Sequence, residues 1–306
     1  MLRIVILFAS AAFLFGAGLE KRTIRVGAMT REYLIYLPSV YNGEKPLAVV
    51  IMLHGGGGTG EAARIETGWD KKAEREGFIA VFPEGSRPHP GKPAKFAGNP
   101  QGWNDGSGRF YAGENNIDDV SFIGTLIDEL VRIFAADINR IYITGFSNGS
   151  SLTYRLGIEL AEKIAAVAPV ASSGLRVNTA PRTKAPPLIS IQGLADPRNP
   201  PDGGAIAHHD FGLPADPRPP IIDSIRRYAA HAGCGAEAKT IVNTNGVTAI
   251  RFTGGGSQEV VSYTIDDMGH TWPGGRSLLP SSVVGAMTKK MNATDVLWDF
   301  FMLHAR

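Results

Sequence analysis

The stretch Ile141-Tyr142-Ile143-Thr144-Gly145-Phe146-Ser147-Asn148-Gly149 decides the fold, because it combines a strand, a sharp turn and the start of a helix. Its first four residues are mostly β-branched or aromatic, and Leu152, Leu156 and Leu160 follow the turn at helical spacing. The turn carries the pattern G-x-S-x-G, which forms a nucleophile elbow when a strand precedes it and a helix follows. We expect a side chain at either glycine to collide with the neighbouring strand or helix. Ser147 is therefore the predicted nucleophile, at the carboxyl edge of a sheet; the alternative is a purely structural turn.

Short apolar runs on both sides of this stretch alternate with helical patterns. The run Leu47–Leu53 is almost entirely apolar, as in a strand that is covered on both faces. Strands that alternate with helices predict an α/β fold, with a mostly parallel central sheet and helices on both faces in a three-layer sandwich. The strand candidates are residues 32–37, 47–53, 78–82, 140–144, 165–170, 187–191 and 259–265. Besides the helix after Ser147, the helix candidates begin near residues 118, 221 and 296.

A glycine-rich loop, Leu53-His54-Gly55-Gly56-Gly57-Gly58, follows the apolar strand. It matches the HGGG-type loop that supplies one oxyanion-hole N–H, the other coming from the residue after the nucleophile, here Asn148. We assign the first donor to Gly56, although the sequence does not distinguish among the four glycines. A phosphate-binding loop is the alternative, but no Lys-Ser/Thr follows and no G-x-G-x-x-G is present. We expect His54 to brace the loop by hydrogen bonding rather than to act as a base.

Two further residues complete a candidate catalytic triad. His270 stands in a loop bounded by glycine and proline, directly after a predicted strand. Asp196 follows another predicted strand at the same sheet edge, and it lies between the serine and the histidine in the chain, as this fold requires. Asp266 and Asp267 compete for the role of the acid, but they are too near His270 in sequence to reach its ring easily. We therefore predict His270 as the general base and Asp196 as the acid that orients it.

Two long loops lie at residues 84–116, which are rich in glycine, proline and asparagine, and at residues 196–220, which contain seven prolines. Loops of this length in a compact domain usually line a site or cover it. For the second loop, a mobile surface excursion is an equally good interpretation. His208 and His209 lie in that loop, where we expect them to be solvated or to contact substrate.

Charge and the N-terminal segment limit the partners and the location. The 31 basic and 29 acidic residues give a net charge of +2, and no run of like charge indicates nucleic acid or an anionic membrane as a partner. Arg3, an apolar stretch over residues 4–15 and small residues around Ala17 have the pattern of a signal peptide. We expect residues 1–17 to be a signal peptide, residues 18–306 to form a single catalytic domain, and the protein to be secreted (extracellular or periplasmic), without stable membrane insertion after cleavage. The alternatives for this segment are a buried first strand and a membrane anchor.

Several motifs together match a known family. They are Leu53-His54-Gly55-Gly56-Gly57-Gly58, Phe82-Pro83-Glu84-Gly85, Gly102-Trp103-Asn104-Asp105-Gly106, Gly145-Phe146-Ser147-Asn148-Gly149, Asp196 and Gly269-His270-Thr271-Trp272-Pro273-Gly274-Gly275. This set resembles the polyhydroxybutyrate depolymerase and feruloyl-esterase-like secreted esterases, the carbohydrate esterase family 1 group of the α/β-hydrolase fold. The resemblance implies a serine esterase that hydrolyses carboxylic esters of polyhydroxybutyrate-oligomer, feruloyl or acetyl-polysaccharide type. It implies no metal and no organic cofactor.

The same resemblance implies that Trp103 and Trp272 line the substrate cleft; the alternative is that both are buried anchors of their loops. This chain departs from the family at Gln192, where relatives have histidine, at Ser150, where a third glycine is common, and after the acid, where Val-Pro-Tyr is lost. The last departure leaves the shape of the neighbouring substrate wall open. A serine peptidase, a non-catalytic polymer-binding protein and an intracellular acyltransferase are the rival functions, and the sequence leaves the ester and the oligomeric state open.

Overall fold

The computed structural model describes residues 16–306. The predicted signal peptide at residues 1–17 lies outside this range, except for its last two residues. Within the described range no helix has the length and apolar character that a membrane span needs. The strands are β1 (Gly18–Val26), β2 (Met29–Leu37), β3 (Leu47–Leu53), β4 (Ile79–Pro83), β5 (Ala136–Phe146), β6 (Ala166–Val170), β7 (Leu188–Gly193), β8 (Gly204–His208), β9 (Leu213–Arg218), β10 (Lys239–Thr244), β11 (Val247–Thr253) and β12 (Glu259–Ile265). The helices are α1 (Gly60–Thr67), α2 (Trp69–Glu76), α3 (Phe110–Glu114), α4 (Asp119–Ile133), α5 (Asn148–Glu159), α6 (Ile221–His231), α7 (Ser281–Val284) and α8 (Ala293–Met302), with a 3-10 helix at His209–Phe211.

The main sheet has the strand order β1-β2-β4-β3-β5-β6-β7-β12-β11-β10. Its central strands, from β4 to β12 in this order, run parallel. Strands β1 and β2 at one edge and β11 and β10 at the other pair antiparallel. The structure confirms the predicted α/β fold with a mostly parallel central sheet.

Strand β3 shows how the sheet is buried on both faces. Val49 and Ile51 pack into the core on one side, and Val50 and Met52 pack into the core on the other. Helices α4, α5 and α6 contribute buried side chains to the first core, and α1, α2 and α8 contribute to the second. The result is a three-layer sandwich. Burial of each such aliphatic side chain contributes about 1.5–3 kcal/mol, which is why a continuous apolar run marks this strand.

The structure contains elements that the sequence patterns did not predict. Strands β10 and β11 form an edge hairpin whose turn, Asn245-Gly246, has positive φ at both residues. Residues 196–220, which were expected to be an irregular loop, contain the antiparallel hairpin β8–β9. Polar contacts hold this hairpin to the rest of the molecule: Asp216 pairs with Arg109 and Arg176, and Arg218 donates to the carbonyl oxygen of Arg198. Because few apolar side chains are buried here, the sequence has no apolar alternation that would predict these strands.

The carboxyl ends of the parallel strands lie at one edge of the sheet. The candidate residues follow these ends: His54 after β3, Ser147 after β5, Asp196 after β7 and His270 after β12. The fold therefore brings four distant segments of the chain to one place, where ligands of open α/β sheets bind.

Candidate active site

Ser147 lies in the sharp turn between β5 and α5, with φ 55° and ψ −117°. A Cβ atom on Gly145 would lie 2.4 Å from the carbonyl oxygen of Gly149, and one on Gly149 would lie 2.4 Å from the carbonyl oxygens of Leu53 and His54. The turn brings the helix and the neighbouring strand too close for a side chain at either position, as expected from the motif. A non-glycine residue in such a sparsely populated conformation stores strain of order 1–3 kcal/mol, which the packed surroundings maintain.

The structure brings the three predicted triad residues into one hydrogen-bonded series. Nε2 of His270 lies 2.8 Å from Oγ of Ser147, and Nδ1 of His270 lies 2.8 Å from Oδ2 of Asp196. A carboxylate only accepts hydrogen bonds, so the imidazole carries its proton on Nδ1 and leaves Nε2 free to accept from the serine hydroxyl. The arrangement holds the histidine in the tautomer that a general base requires.

The carboxylate of Asp196 is held by the backbone of its own loop. Its Oδ1 accepts hydrogen bonds from the backbone N–H groups of Arg198 and Asn199, both at 2.8 Å, which leaves Oδ2 for the histidine. Gln192 fixes the same loop: its Nε2 donates to the carbonyl oxygen of Asn199 at 2.7 Å, and its Oε1 accepts from the backbone N–H of Ser172 at 3.0 Å. The glutamine that replaces the family's histidine therefore bridges the acid loop to the end of β6.

The two competing acids lie elsewhere. Asp266 and Asp267 are both exposed, and Asp267 pairs with Lys290 at 3.1 Å. The structure therefore places Asp196, and neither competitor, against the His270 ring.

His54 braces the glycine loop. Its Nε2 accepts a hydrogen bond from the backbone N–H of Gly85 at 2.9 Å, so its proton lies on Nδ1, which donates to the carbonyl oxygen of Gly55 at 2.8 Å. Burial lowers the pKa of His54, so the ring stays neutral. Both ring nitrogens are engaged, which fits the structural role expected from the sequence.

The two tryptophans behave differently. Trp103 is fully buried, and its indole N–H donates to the carbonyl oxygen of His54 at 2.8 Å. The implied cleft-lining role is wrong for Trp103, because this side chain does not line the cavity. Its hydrogen bond to His54 anchors the glycine loop instead. The indole N–H of Trp272 also donates a hydrogen bond inside the protein, to Oγ1 of Thr294 at 3.0 Å. Part of the Trp272 surface, however, lines the cavity that contains Ser147.

The candidate oxyanion donors belong to the glycine loop and to the residue after Ser147. The N–H of Gly57 donates to Gln101 at 2.7 Å and that of Gly58 donates to Gly55 at 3.0 Å, which leaves Gly55 and Gly56 as candidate donors in the glycine loop. Within residues 16–306 the N–H groups of Gly56 and Asn148 have no protein acceptor. The side chain of Asn148 is fixed, because its Oδ1 accepts from the backbone N–H of Trp103 at 2.7 Å.

A cavity of about 310 Å³ opens beside these groups. Most of its lining is apolar, and each of the two long loops contributes several of the lining residues. Several lining residues were not predicted from the sequence, among them Phe96, Phe110, Phe146, Phe211, Leu278 and Leu279. For Phe96, Phe110 and Phe211 the sequence signal is their position in the two long loops, and Phe146 lies in the elbow motif beside Ser147. Among residues 16–306 no group of three or more His, Cys, Asp or Glu side chains is arranged to hold a metal ion.

Comparisons with known proteins agree with this architecture. The family model described as esterase PHB depolymerase matches residues 31–181. The putative esterase NocK from Nocardia uniformis subsp. tsuyamanensis is 29% identical over 297 residues, which cover 92% of this chain and 82% of that protein. A probable feruloyl esterase C from Aspergillus oryzae is 25% identical over 281 residues, which cover 89% of this chain and 84% of that protein. The structure of an acetyl xylan esterase from Aspergillus awamori superimposes with a TM-score of 0.59 at 16% identity, covering 83% of this chain and 94% of that one, and shows the shared fold.

The fold and these relatives define the class: the chain is a carboxylic ester hydrolase with the α/β-hydrolase fold. Within that class, the resemblance to the polyhydroxybutyrate depolymerase and feruloyl-esterase-like group is confirmed by the family match and by the feruloyl esterase relatives.

Proposed function

We propose that this chain is a secreted serine esterase that hydrolyses carboxylic esters of polyhydroxybutyrate-oligomer, feruloyl or acetyl-polysaccharide type. The observation that carries the proposal is the series of two 2.8 Å contacts from Oγ of Ser147 through His270 to Asp196. The ester hydrolases among the relatives support the same reaction type.

Acyl transfer to Ser147 is the first half of the proposed reaction. The Ser147 hydroxyl attacks the ester carbonyl while its proton moves to Nε2 of His270. Asp196 stabilises the imidazolium that forms. The tetrahedral intermediate collapses as the C–O bond to the alcohol breaks, and Nε2 returns the proton to the departing alkoxide. The products of this half are the free alcohol and an acyl-serine.

Water completes the reaction by the same route. His270 removes a proton from a water molecule that attacks the acyl-serine, and the second tetrahedral intermediate releases the carboxylic acid and restores the Ser147 hydroxyl. In both halves, the N–H groups of Gly56 and Asn148 would hold the oxyanion. Because both groups lack a protein acceptor in the described residues, they need not break an existing bond to do so.

The location and the domain organisation belong to the same proposal. Residues 1–17 act as a signal peptide, and residues 18–306 form one catalytic domain. The support is the charge and apolar pattern of the N-terminal segment. Expression in a host that exports the protein, followed by mass determination of the exported chain, tests this. A chain that begins at Gly18 supports the proposal, and an exported chain that retains Met1 contradicts cleavage.

The reaction type is tested by a substrate panel with the purified protein. We expect turnover of acetyl, feruloyl and hydroxybutyrate esters, with little cleavage of matched amides. Faster cleavage of the amides would indicate a serine peptidase, and binding to polymer without turnover would indicate a binding protein.

A further inference from the structure

One wall of the cavity consists of residues fixed by the hairpin β8–β9 and its contacts. We call Arg109, Arg198, His208 and Phe211 the hairpin wall; all four line the cavity together with Ser147 and His270. Arg198 also joins this wall to the candidate acid, because its backbone N–H donates to Asp196.

His208 presents a hydrogen-bond donor in this wall. Its Nε2 lies 2.8 Å from Nη2 of Arg218. A guanidinium only donates, so Nε2 of His208 accepts and its proton lies on Nδ1. That Nδ1–H has no acceptor within residues 16–306.

The two arginines of the hairpin wall also have side-chain donors that lack an acceptor in the described residues. Arg109 directs Nη2 to Asp105 and Ser173, each at 3.1 Å, while its Nη1 has no acceptor in the described part of the chain. Arg198 pairs through Nη1 with Asp210 at 2.9 Å, and its Nη2 likewise has no acceptor there. Together with His208, the wall offers three donor nitrogens.

The charged side chains of the hairpin wall that line the cavity are both arginines. The carboxylates that pair with them, Asp105, Asp210 and Asp216, are not among the residues that line the cavity. The acidic side chain that does line it, Glu66, accepts from the backbone N–H of Leu278, away from the hairpin. Burial, with further contributions from neighbouring arginines, lowers the pKa of His208 to about 3, so its ring is neutral.

We propose that the hairpin wall binds a carboxylate of the substrate, so that the preferred esters carry a free carboxylate on their acyl or alcohol part. Guanidinium groups match a carboxylate in charge and in planar geometry, and a wall that only donates selects an acceptor with full negative charge. This proposal rests on the proposed esterase function and assigns specificity to the same site.

Two matched pairs of esters test the proposal. For the acyl part, para-nitrophenyl hydrogen glutarate is compared with para-nitrophenyl pentanoate. For the alcohol part, the hydroxybutyrate dimer with a free carboxyl group is compared with the same dimer capped as a primary amide. We expect kcat/KM to favour the charged member about tenfold or more in one of the pairs, as for a hydrogen bond to a charged group. The pair that shows the preference identifies the part that carries the carboxylate.

Variants and ionic strength test whether the preference for the charged ester comes from the hairpin wall. Arg198→Gln should bring the ratio of kcat/KM close to one, and Arg198→Lys should retain part of the preference. Arg276→Gln is the matched control, because it removes an exposed arginine from the lining of the same cavity outside the hairpin wall, and it should keep the ratio. In the wild-type protein, which needs no variant to fold, the preference should fall as ionic strength rises.

The proposal is overturned if the neutral member is cleaved equally well or better in both pairs, or if Arg198→Gln leaves the ratio unchanged. A preference that salt does not reduce also contradicts it. Turnover of the neutral esters alone leaves the esterase function intact, whereas failure to hydrolyse all four esters contradicts that function and this proposal with it.

Discussion

The elbow and the hairpin wall, which line the same cavity, are held in place by different forces. The elbow joins two buried elements of the main sheet and helix layer, and its backbone is enclosed so tightly that Gly145 and Gly149 have no room for a Cβ atom. The hairpin β8–β9 belongs to a separate two-stranded sheet, and ion pairs such as Arg176–Asp216 and Arg198–Asp210 tie it to the body of the protein.

This difference suits the elbow to the chemical steps and the hairpin wall to substrate selection. Groups that react must be held within a fraction of an ångström, and the ends of buried strands provide that rigidity. A hairpin held by polar contacts can change in sequence without disturbing the sheet, so it suits the recognition of a substrate group. Changes at the elbow should therefore abolish turnover, whereas changes at the hairpin wall should shift which ester is preferred.

The largest effect is expected from removal of the nucleophile. Ser147→Ala should fold normally and lose ester hydrolysis by about a millionfold, as in other triads without their serine. The assay is kcat/KM on a soluble ester, together with a thermal unfolding curve. Ser257→Ala, at an exposed position in the turn between β11 and β12, is the control and should retain wild-type activity. A tenth of wild-type activity in Ser147→Ala would exclude Ser147 as the nucleophile.

The acid should rank second. Asp196→Asn preserves the shape of the side chain but favours the wrong imidazole tautomer, so kcat should fall on the order of ten-thousandfold. The exposed Asp267→Asn is the matched control and should stay within about twofold of wild type, as for most surface substitutions. A crippled Asp267→Asn beside an active Asp196→Asn would show that Asp267 is the acid.

The glycine loop should show an intermediate effect. A Cβ atom on Gly56 would lie 2.1 Å from Cζ of Phe110, so Gly56→Ala must displace either the ring or the loop. Displacement of an oxyanion donor costs about a hundredfold to a thousandfold in kcat. Gly255→Ala is the control, because nothing lies within 4 Å of a Cβ atom at that position. Equal activity of the two variants would show that the Gly56 N–H is not used.

The smallest effect is expected on the hairpin wall itself. The ring of Phe211 lies 4.8 Å from that of Phe96 and 5.2 Å from that of Phe110. Phe211→Ala should raise KM for a bulky aryl ester about twofold to tenfold, the size of one lost aromatic contact, and change kcat for an acetyl ester little. Steady-state kinetics on both esters measure this. A collapse of kcat on the acetyl ester would mean that the hairpin also controls the reacting groups.

The same contrast explains what could be predicted from the sequence. The strands β3 and β5 carry continuous apolar runs, and the glycines around Ser147 have one geometric explanation, so the sheet and the placement of the candidate triad at its edge follow from local pattern. The hairpin β8–β9 contains two prolines and three charged residues, and its structure depends on distant partners such as Arg109 and Arg176, which both pair with Asp216. Contacts between residues far apart in the chain leave no hydrophobic periodicity in the local sequence.

The tryptophans show a further limit of prediction from sequence, which is the direction of a side chain. Trp103 and Trp272 both stand in motifs of the site, and the sequence gives no sign of which face of each ring is covered. Burial separates them: the carbonyl oxygen of His54 takes the Trp103 indole N–H inside the protein, whereas part of Trp272 reaches the cavity. Residue type and position in the chain therefore predict proximity to the site, and the direction of the side chain depends on packing.

Covalent labelling of the nucleophile tests the central claim most directly. A fluorophosphonate probe reacts with a serine that a neighbouring histidine activates, and peptide mass spectrometry then locates the adduct. The account predicts one adduct per chain on the peptide that contains Ser147, and strongly reduced labelling in His270→Ala. An adduct on another serine, or ester hydrolysis that continues at full rate after Ser147 is labelled, would contradict it.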